Sequence, residues 1–271
     1  MTDAVRRLAI DKVNLIRQKI GYPTTSPDVT DPTVLAEYYA NVSVSPDAYF
    51  ANRLSAARVD FAREWAQAGR PVDRDAWLMS APTVNAYYNP PGNEIVFPAG
   101  IMQAPLFYDP TVPAYLSYGA FGAVAGHELS HAFDSTGRNY DQNGNYADWW
   151  DDATITAFTN KTACFVEQYG AFTLPHGTDK DGKPLHVNGQ LTLGENIADA
   201  GGLTAAFRAW RRRDDDAPDA LLPGFDGRFT KDQLFFLSYG LAWCGMTRPE
   251  EEVTRVYRDP HSPAQFRIRV S

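Results

Sequence analysis

Cysteine is scarce: the 271 residues hold two, Cys164 and Cys244, too few for a disulfide scaffold and without CxxC spacing. Taken alone, they read as readily as two buried free thiols as anything else. Basic charge is also short, with 25 Lys and Arg against 33 Asp and Glu and a formal net charge of −8. That balance excludes nucleic acid as a partner, because phosphate binding relies on clustered cations. The single basic cluster, Arg211–Arg213, runs straight into Asp214–Asp216 and reads as a solvated helix end. No apolar run is long enough to cross a bilayer. A signal-peptide pattern is missing too, since residues 1–20 read as an amphipathic helix with Val5, Leu8, Val13, Ile16 and Ile20 on one face.

What remains is a globular composition, 44% hydrophobic and 21% charged. Two glycosylation sequons, at Asn41 and Asn160, hint weakly at export. Helical patterns are expected over residues 1–20, 46–69, 114–135, 151–169, 194–212 and 230–245. Between them Val84, Ala86 and Tyr88 alternate, Asn89–Asn93 supplies a turn, and Ile95 and Phe97 alternate again, which predicts a β-hairpin over 83–97. Asp141–Gly144 and Asp179–Gly182 look like fragments of a calcium loop but lack its closing glutamate, so both are expected to be turns. Helices, then a small sheet, then helices make an α+β chain.

The sharpest signal is His127-Glu128-Leu129-Ser130-His131 inside an apolar helical stretch. Histidines four apart share a helix face and converge on one ion, while Glu128, beside the first, can take a proton from water there. With 5 histidines in the chain, chance predicts roughly 0.003 such patterns, which excludes coincidence as the simple reading. A catalytic zinc needs a third protein ligand and one open position. Glu195 and Asp199, four apart at the start of a helix, supply a carboxylate to ligate and another to hold a histidine N–H, without spacing alone saying which does which.

Five segments together resemble the neprilysin and endothelin-converting-enzyme family of zinc endopeptidases. They are Val84–Tyr88, Ile95–Ile101, Gly126–Asp134, Leu193–Asp199, and Asp259–Pro263 with Phe266-Arg267. The resemblance runs in order over nearly the whole chain. It implies a thermolysin-like zincin fold in one catalytic domain, 1–271, with 1–80 as a helical lead-in and 81–271 as the active-site core. It implies one zinc ion held by His127, His131 and Glu195, with Glu128 as the base, Asp199 as a histidine's partner and Asp134 in support. His261 would hydrogen-bond the oxyanion and Arg267 a substrate carbonyl, while Asn85 and Ala86 pair with substrate backbone. Leu106, Phe107, Val124 and Trp243 match the apolar pocket for the residue after the cut. The implied substrates are oligopeptides, and the implied compartment is extracellular or cell-surface.

Against that family the chain lacks nearly all of an upstream helical domain and a C-terminal tail. In vertebrate members the cysteines matching Cys164 and Cys244 pair with residues in those parts, so the two are expected not to bond each other. The alternative function is therefore a zinc-binding, non-catalytic fragment that needs a second chain or segment to fold and act.

Overall fold

The computed structural model describes residues 1–179, 181–225 and 227–270. The chain opens with α1 (Asp3–Asn14), capped by Thr2, whose hydroxyl accepts the Val5 N–H. The helix does not reach residue 20 as its periodicity predicts. Arg17–Gly21 instead forms β1, which pairs in parallel with β3 (Glu94–Pro98). Residues spaced for one helix face also suit a strand over so short a run, and Lys19 settles the choice by meeting the buried Glu94 at 2.8 Å. The buried face of α1 is Val5, Ala9 and Lys12, whereas Leu8 and Val13 of the expected stripe are exposed.

Two helices follow, α2 (Pro32–Tyr39) and α3 (Tyr49–Ala66). The first was not anticipated, although Asp31 at the N-cap and Pro32 at the first helical position are a start signal. α3 buries none of its own residues among those described.

The hairpin is present but shorter than expected. β2 (Tyr87–Asn89) pairs antiparallel with β3, and the strand order is β1-β3-β2. Val84–Ala86 lead into this edge strand just before its first paired residue, with Val84 in a bend. Asn93 makes the turn possible with a left-handed φ of 41°, a conformation asparagine tolerates better than most residues. Its buried amide donates to the Lys12 and Gln142 carbonyls and accepts from the Tyr88 hydroxyl.

The helix expected over 114–135 is a continuous helical run in four pieces: α4 (Ala114–Ser117), a π-turn (Tyr118–Gly122), α5 (Ala123–Ser130) and a final 3-10 turn (His131–Phe133). α6 (Asp152–Gly170) is capped by Asp151, and a small hairpin follows, β4 (Thr173–Thr178) with β5 (Pro184–His186). α7 (Leu193–Asp216) and α8 (Lys231–Ala242) come next, the latter held by a Thr230–Gln233 capping box. Two unanticipated helices end the described chain, α9 (Pro249–Val256) and α10 (Ala264–Val270). The first of these starts on Pro249 with Glu250–Glu252 behind it, residues that suit a helix N-terminus. The architecture is α+β.

Three apolar clusters surround the centre. Ala86, Phe97 and Ile101 pack with Phe121 and Val124 between sheet and α5. Tyr115, Leu203, Trp210, Phe235 and Tyr239 join α4, α7 and α8. Tyr169, Leu174, Leu185, Val256 and Phe266 join α6, the small hairpin and the last two helices. Asp141 forms the turn expected of it, accepting from the Asn143 and Asn145 N–H groups. The second expected turn spans Lys180, which lies outside the described residues; on either side of it Asp179 accepts from the Asp181 and Lys183 N–H groups. Cys164 and Cys244 are exposed and free rather than buried, and they do not bond each other.

Asn93→Ala should destabilise the fold by about 2–4 kcal/mol, since it strands buried carbonyls and forces alanine into left-handed backbone. Urea unfolding measures this, and a loss below about 1 kcal/mol would mean the turn finds another anchor.

Candidate metal centre

The centre lies where α5 crosses α7. Glycines at the crossing let the backbones touch. A Cβ built on Gly202 would sit 2.3 Å from the His127 nitrogen, and one on Gly126 would sit 2.6 Å from the Gly202 carbonyl oxygen. One turn before Gly202, Asp199 then meets His127, and Glu195, one turn earlier still, reaches both histidines. The Gly201-Gly202 pair inside a helix was the sequence signal of this approach, and it was not used.

His127 and His131 turn their Nε2 atoms toward each other, 3.0 Å apart. Glu195 Oε2 lies 3.2 Å from the first and 3.6 Å from the second. Suitable donor atoms of all three residues fall within 4.8 Å of one another. Each histidine's Nδ1 is committed elsewhere, to Asp199 at 2.8 Å and to Asp134 at 2.7 Å. With Nδ1–H donating to a carboxylate, the Nε2 lone pair faces the centre, which is the tautomer a metal needs. The buried Glu195 Oε2 makes no well-directed hydrogen bond among the described residues, although three imidazoles lie near it. Two imidazoles and a carboxylate are also a donor set that suits zinc.

The carboxylates dominate the electrostatics. Burial lowers the pKa of His131, but its hydrogen bond to Asp134 and the facing Glu195 carboxylate outweigh that and push it up to about 10. His127 is raised on balance for the same reason, with Asp199 and Glu195 as its partners. Burial works against the charge on Glu195, yet the imidazoles of His127, His131 and His261 facing it hold it well below the usual carboxylate range. Glu128 goes the other way: it is buried, and desolvation lifts its pKa.

Around the centre, His261 Nε2 approaches Glu195 at 3.1 Å while its Nδ1 meets Asp259 at 2.8 Å. The Glu195 carboxylate beside it raises its pKa against the opposing effect of burial. Ser262 donates to the buried Asn196, fixing this loop to α7. Arg267 grips both Asp199 oxygens at 2.6 Å and stacks 3.7 Å over the Trp243 ring. Asn196, Asp259 and Ser262 were missed, though all three stand inside the motifs that carry the resemblance.

A cleft of about 1270 Å³ opens onto the centre, lined among others by Asn85, Ala86, Leu106, Val124, Trp243 and Arg267. Phe107 is outside this lining, contrary to expectation. The Leu106 and Phe107 N–H groups both bond the Gln103 carbonyl in a tight turn, and Phe107 packs edge-on against Phe121 with 39% of its surface exposed.

The family model described as Peptidase family M13 matches residues 85–271. The chain belongs to peptidase family M13. It is 44% identical over 269 residues to the endothelin-converting enzyme homolog of Locusta migratoria, covering 99% of this chain and 35% of that protein. To Neprilysin-3 of Drosophila melanogaster it is 43% identical over 265 residues, covering 97% of this chain and 32% of that protein. The crystal structure of a Mycobacterium tuberculosis zinc metalloprotease in complex with inhibitor superposes with a TM-score of 0.87 at 40% identity, over 99% of this chain and 38% of that one. The fold of this M13 chain is the α+β, thermolysin-like zincin fold. The chain spans about a third of the length of the curated relatives it matches.

Two outcomes follow for the M13 centre. Gly202→Ala should wedge α5 from α7, costing about 1–3 kcal/mol of stability and loosening metal retention; unchanged affinity in a chelator competition would show that the crossing has slack. Because the carboxylates favour protonated histidines, protons compete with a metal below about pH 10. Affinity should rise with pH, and at neutral pH calorimetry in buffers of different ionisation enthalpy should detect at least one proton released per zinc. No release would mean that both rings are already neutral.

Proposed function

We propose that this chain is the catalytic part of a zinc-dependent endopeptidase that cuts oligopeptides on the amino side of bulky apolar residues. The observation that carries the reading is the convergence of His127, His131 and Glu195, each histidine braced by a carboxylate, beside the buried Glu128. His127, His131 and Glu195 would hold one zinc ion, which when bound supplies a Lewis acid that acidifies water and polarises a carbonyl. Glu128, its proton affinity raised by burial, takes the proton of the attacking water and passes it to the leaving amine. His261, aimed by Asp259, donates to the carbonyl oxygen as negative charge develops.

The cleft supports the same reading. Asn85 and Ala86, on the cleft wall just before the edge strand, would offer backbone to an extended peptide, with the Asn85 side chain giving up the Ala86 N–H it accepts here. Leu106, Val124 and Trp243, all on the cleft wall, would receive the apolar side chain of the residue after the cut. Asp199 orients His127, and Arg267 braces Asp199 in addition to meeting a substrate carbonyl. Residues 1–80 would serve as a mostly helical lead-in to a core over 81–271, to whose sheet they contribute β1. Among the described residues no helix is long and apolar enough to cross a membrane, and the extracellular or cell-surface compartment rests on resemblance to the family.

One observation favours the second reading, a zinc-binding fragment that acts only with a partner segment. α3 presents Phe50, Phe61 and Trp65 at 79%, 60% and 66% exposure, more apolar surface than a free helix usually shows. Incubation with a quenched apolar peptide, with and without chelator, separates the two. The enzyme reading expects chelator-sensitive cleavage. Glu128→Gln should then keep its zinc and lose at least about 10²-fold in rate, Glu195→Gln should lose zinc, and His261→Ala should lower kcat by about 10²–10³-fold. Zinc binding without cleavage would favour the fragment reading; cleavage by Glu128→Gln at the wild-type rate would remove the base assigned here.

A further inference from the structure

Lysine is among the residues least often buried, yet Lys12 has no exposed surface at all. Its ammonium donates three hydrogen bonds, to the carbonyls of Ala132 at 2.7 Å, Gly137 at 2.8 Å and Tyr140 at 2.7 Å. That uses every proton the group has. The rings of Tyr88, Phe133 and Trp149 surround it, with centroids 5.9, 5.5 and 5.6 Å away, a setting that favours a cation. Burial lowers its pKa to about 8, against the pull of Asp134 and Asp141.

The three carbonyls belong to the machinery of the metal centre. Ala132 lies in the 3-10 turn that closes the histidine-bearing helix, where backbone carbonyls lack helical partners and a cation suits the helix end. Gly137 and Tyr140 belong to the loop that follows. The same loop fixes Asp134, whose Oδ1 accepts from the Thr136 and Gly137 N–H groups and whose Oδ2 accepts from His131 Nδ1. Gly137 is pressed so close to the helix end that a Cβ there would collide with the His131 carbonyl. On the other side, the Lys12 carbonyl accepts from Asn93, the turn residue of the β2–β3 hairpin. A single residue of α1 thus touches both the turn behind the cleft's edge strand and the end of the metal helix.

We propose that Lys12 is a positioning residue, clamping the end of α5 to the Asp134 loop and to the β2–β3 turn so that His131 and the edge strand keep their relative placement. The inference rests on the zinc-peptidase reading and adds to it a residue more than a hundred positions upstream of the metal motif. It predicts an effect on metal binding that loss of stability alone does not produce.

The test compares Lys12→Met with Leu185→Ala, a buried substitution in the cluster around β5 that is itself neither part of the metal centre nor of the cleft lining, although Val256 of the same cluster lines the cleft. Zinc affinity is measured by chelator competition, the ligand field by cobalt substitution, and kcat and KM on a quenched peptide. Lys12→Met should bind zinc at least about tenfold more weakly, shift the cobalt spectrum, and lower kcat more than it raises KM. Leu185→Ala should be less stable but keep wild-type zinc affinity and cobalt spectrum. Should Lys12→Met not fold, Lys12→Arg retains a cation whose planar head does not match three carbonyls around one point; it should show weaker zinc binding and an altered cobalt spectrum. Wild-type affinity and spectrum in whichever variant folds would overturn the clamp. Wild-type protein that binds zinc but leaves the peptide uncut would instead count against the peptidase reading, while the affinity and cobalt measurements would still decide the role of Lys12.

Discussion

Two helices can approach to backbone contact only where neither carries a side chain at the crossing, and Gly126 with Gly202 supplies that condition. The rest of the centre depends on it. With α5 and α7 so close, residues at 195 and 199 fall one turn apart along the face that meets the histidines, and each reaches a different imidazole atom. With bulkier residues at the crossing, the axes would sit farther apart and the carboxylates would fall short of the rings. The aromatic cluster of Tyr115, Trp210 and Phe235 holds α4, α7 and α8 together from one side. The Phe97, Phe121 and Val124 packing presses the sheet onto α5 from the other.

Charge explains why such an arrangement suits a cation. Glu128, Glu195, Asp134, Asp199 and Asp259 surround three histidines. Arg267 offsets part of that charge through Asp199, and Lys12 lies behind the Asp134 loop. A buried set of carboxylates stabilises positive charge, whether it arrives as protons on imidazole or as a divalent ion that displaces them. The carboxylates also divide the work. Those paired with Nδ1 fix ring orientation, Glu195 faces the shared space, and Glu128 is the one whose pKa burial raises.

The long, periodic elements were legible in the sequence. The helices near 46–69, 151–169, 194–212 and 230–245 appear within a few residues of their expected limits. Local preference failed where a few residues fitted two structures. Ile16 and Ile20 continued a helical spacing, but Arg17–Gly21 gains more by completing the ladder beside β3 and pairing Lys19 with Glu94. Phe107 was matched with Leu106 to the family's apolar pocket, yet successive residues in a tight turn point different ways, and of the two only Leu106 lines the cleft. Short helices such as α9 carried a proline and acidic start signal but too few residues for periodicity to register.

By itself the sequence determined the chemistry that spacing can encode. Two histidines four residues apart on one helix share a face whatever the rest of the chain does, with Glu128 on the helix position beside the first, because helical geometry fixes their separation. It also determined that a carboxylate pair four apart stood ready at 195 and 199. Which carboxylate faces the shared space and which holds His127 was decided only by the tertiary structure, since that depends on how deeply α7 slides along α5. The same holds for Lys12. Nothing in its local sequence marks it, for an amphipathic helix with a lysine ordinarily leaves that lysine in water. Only the packing of α1 against the end of the metal helix brings three carbonyls around its ammonium and makes burial of the charge tolerable.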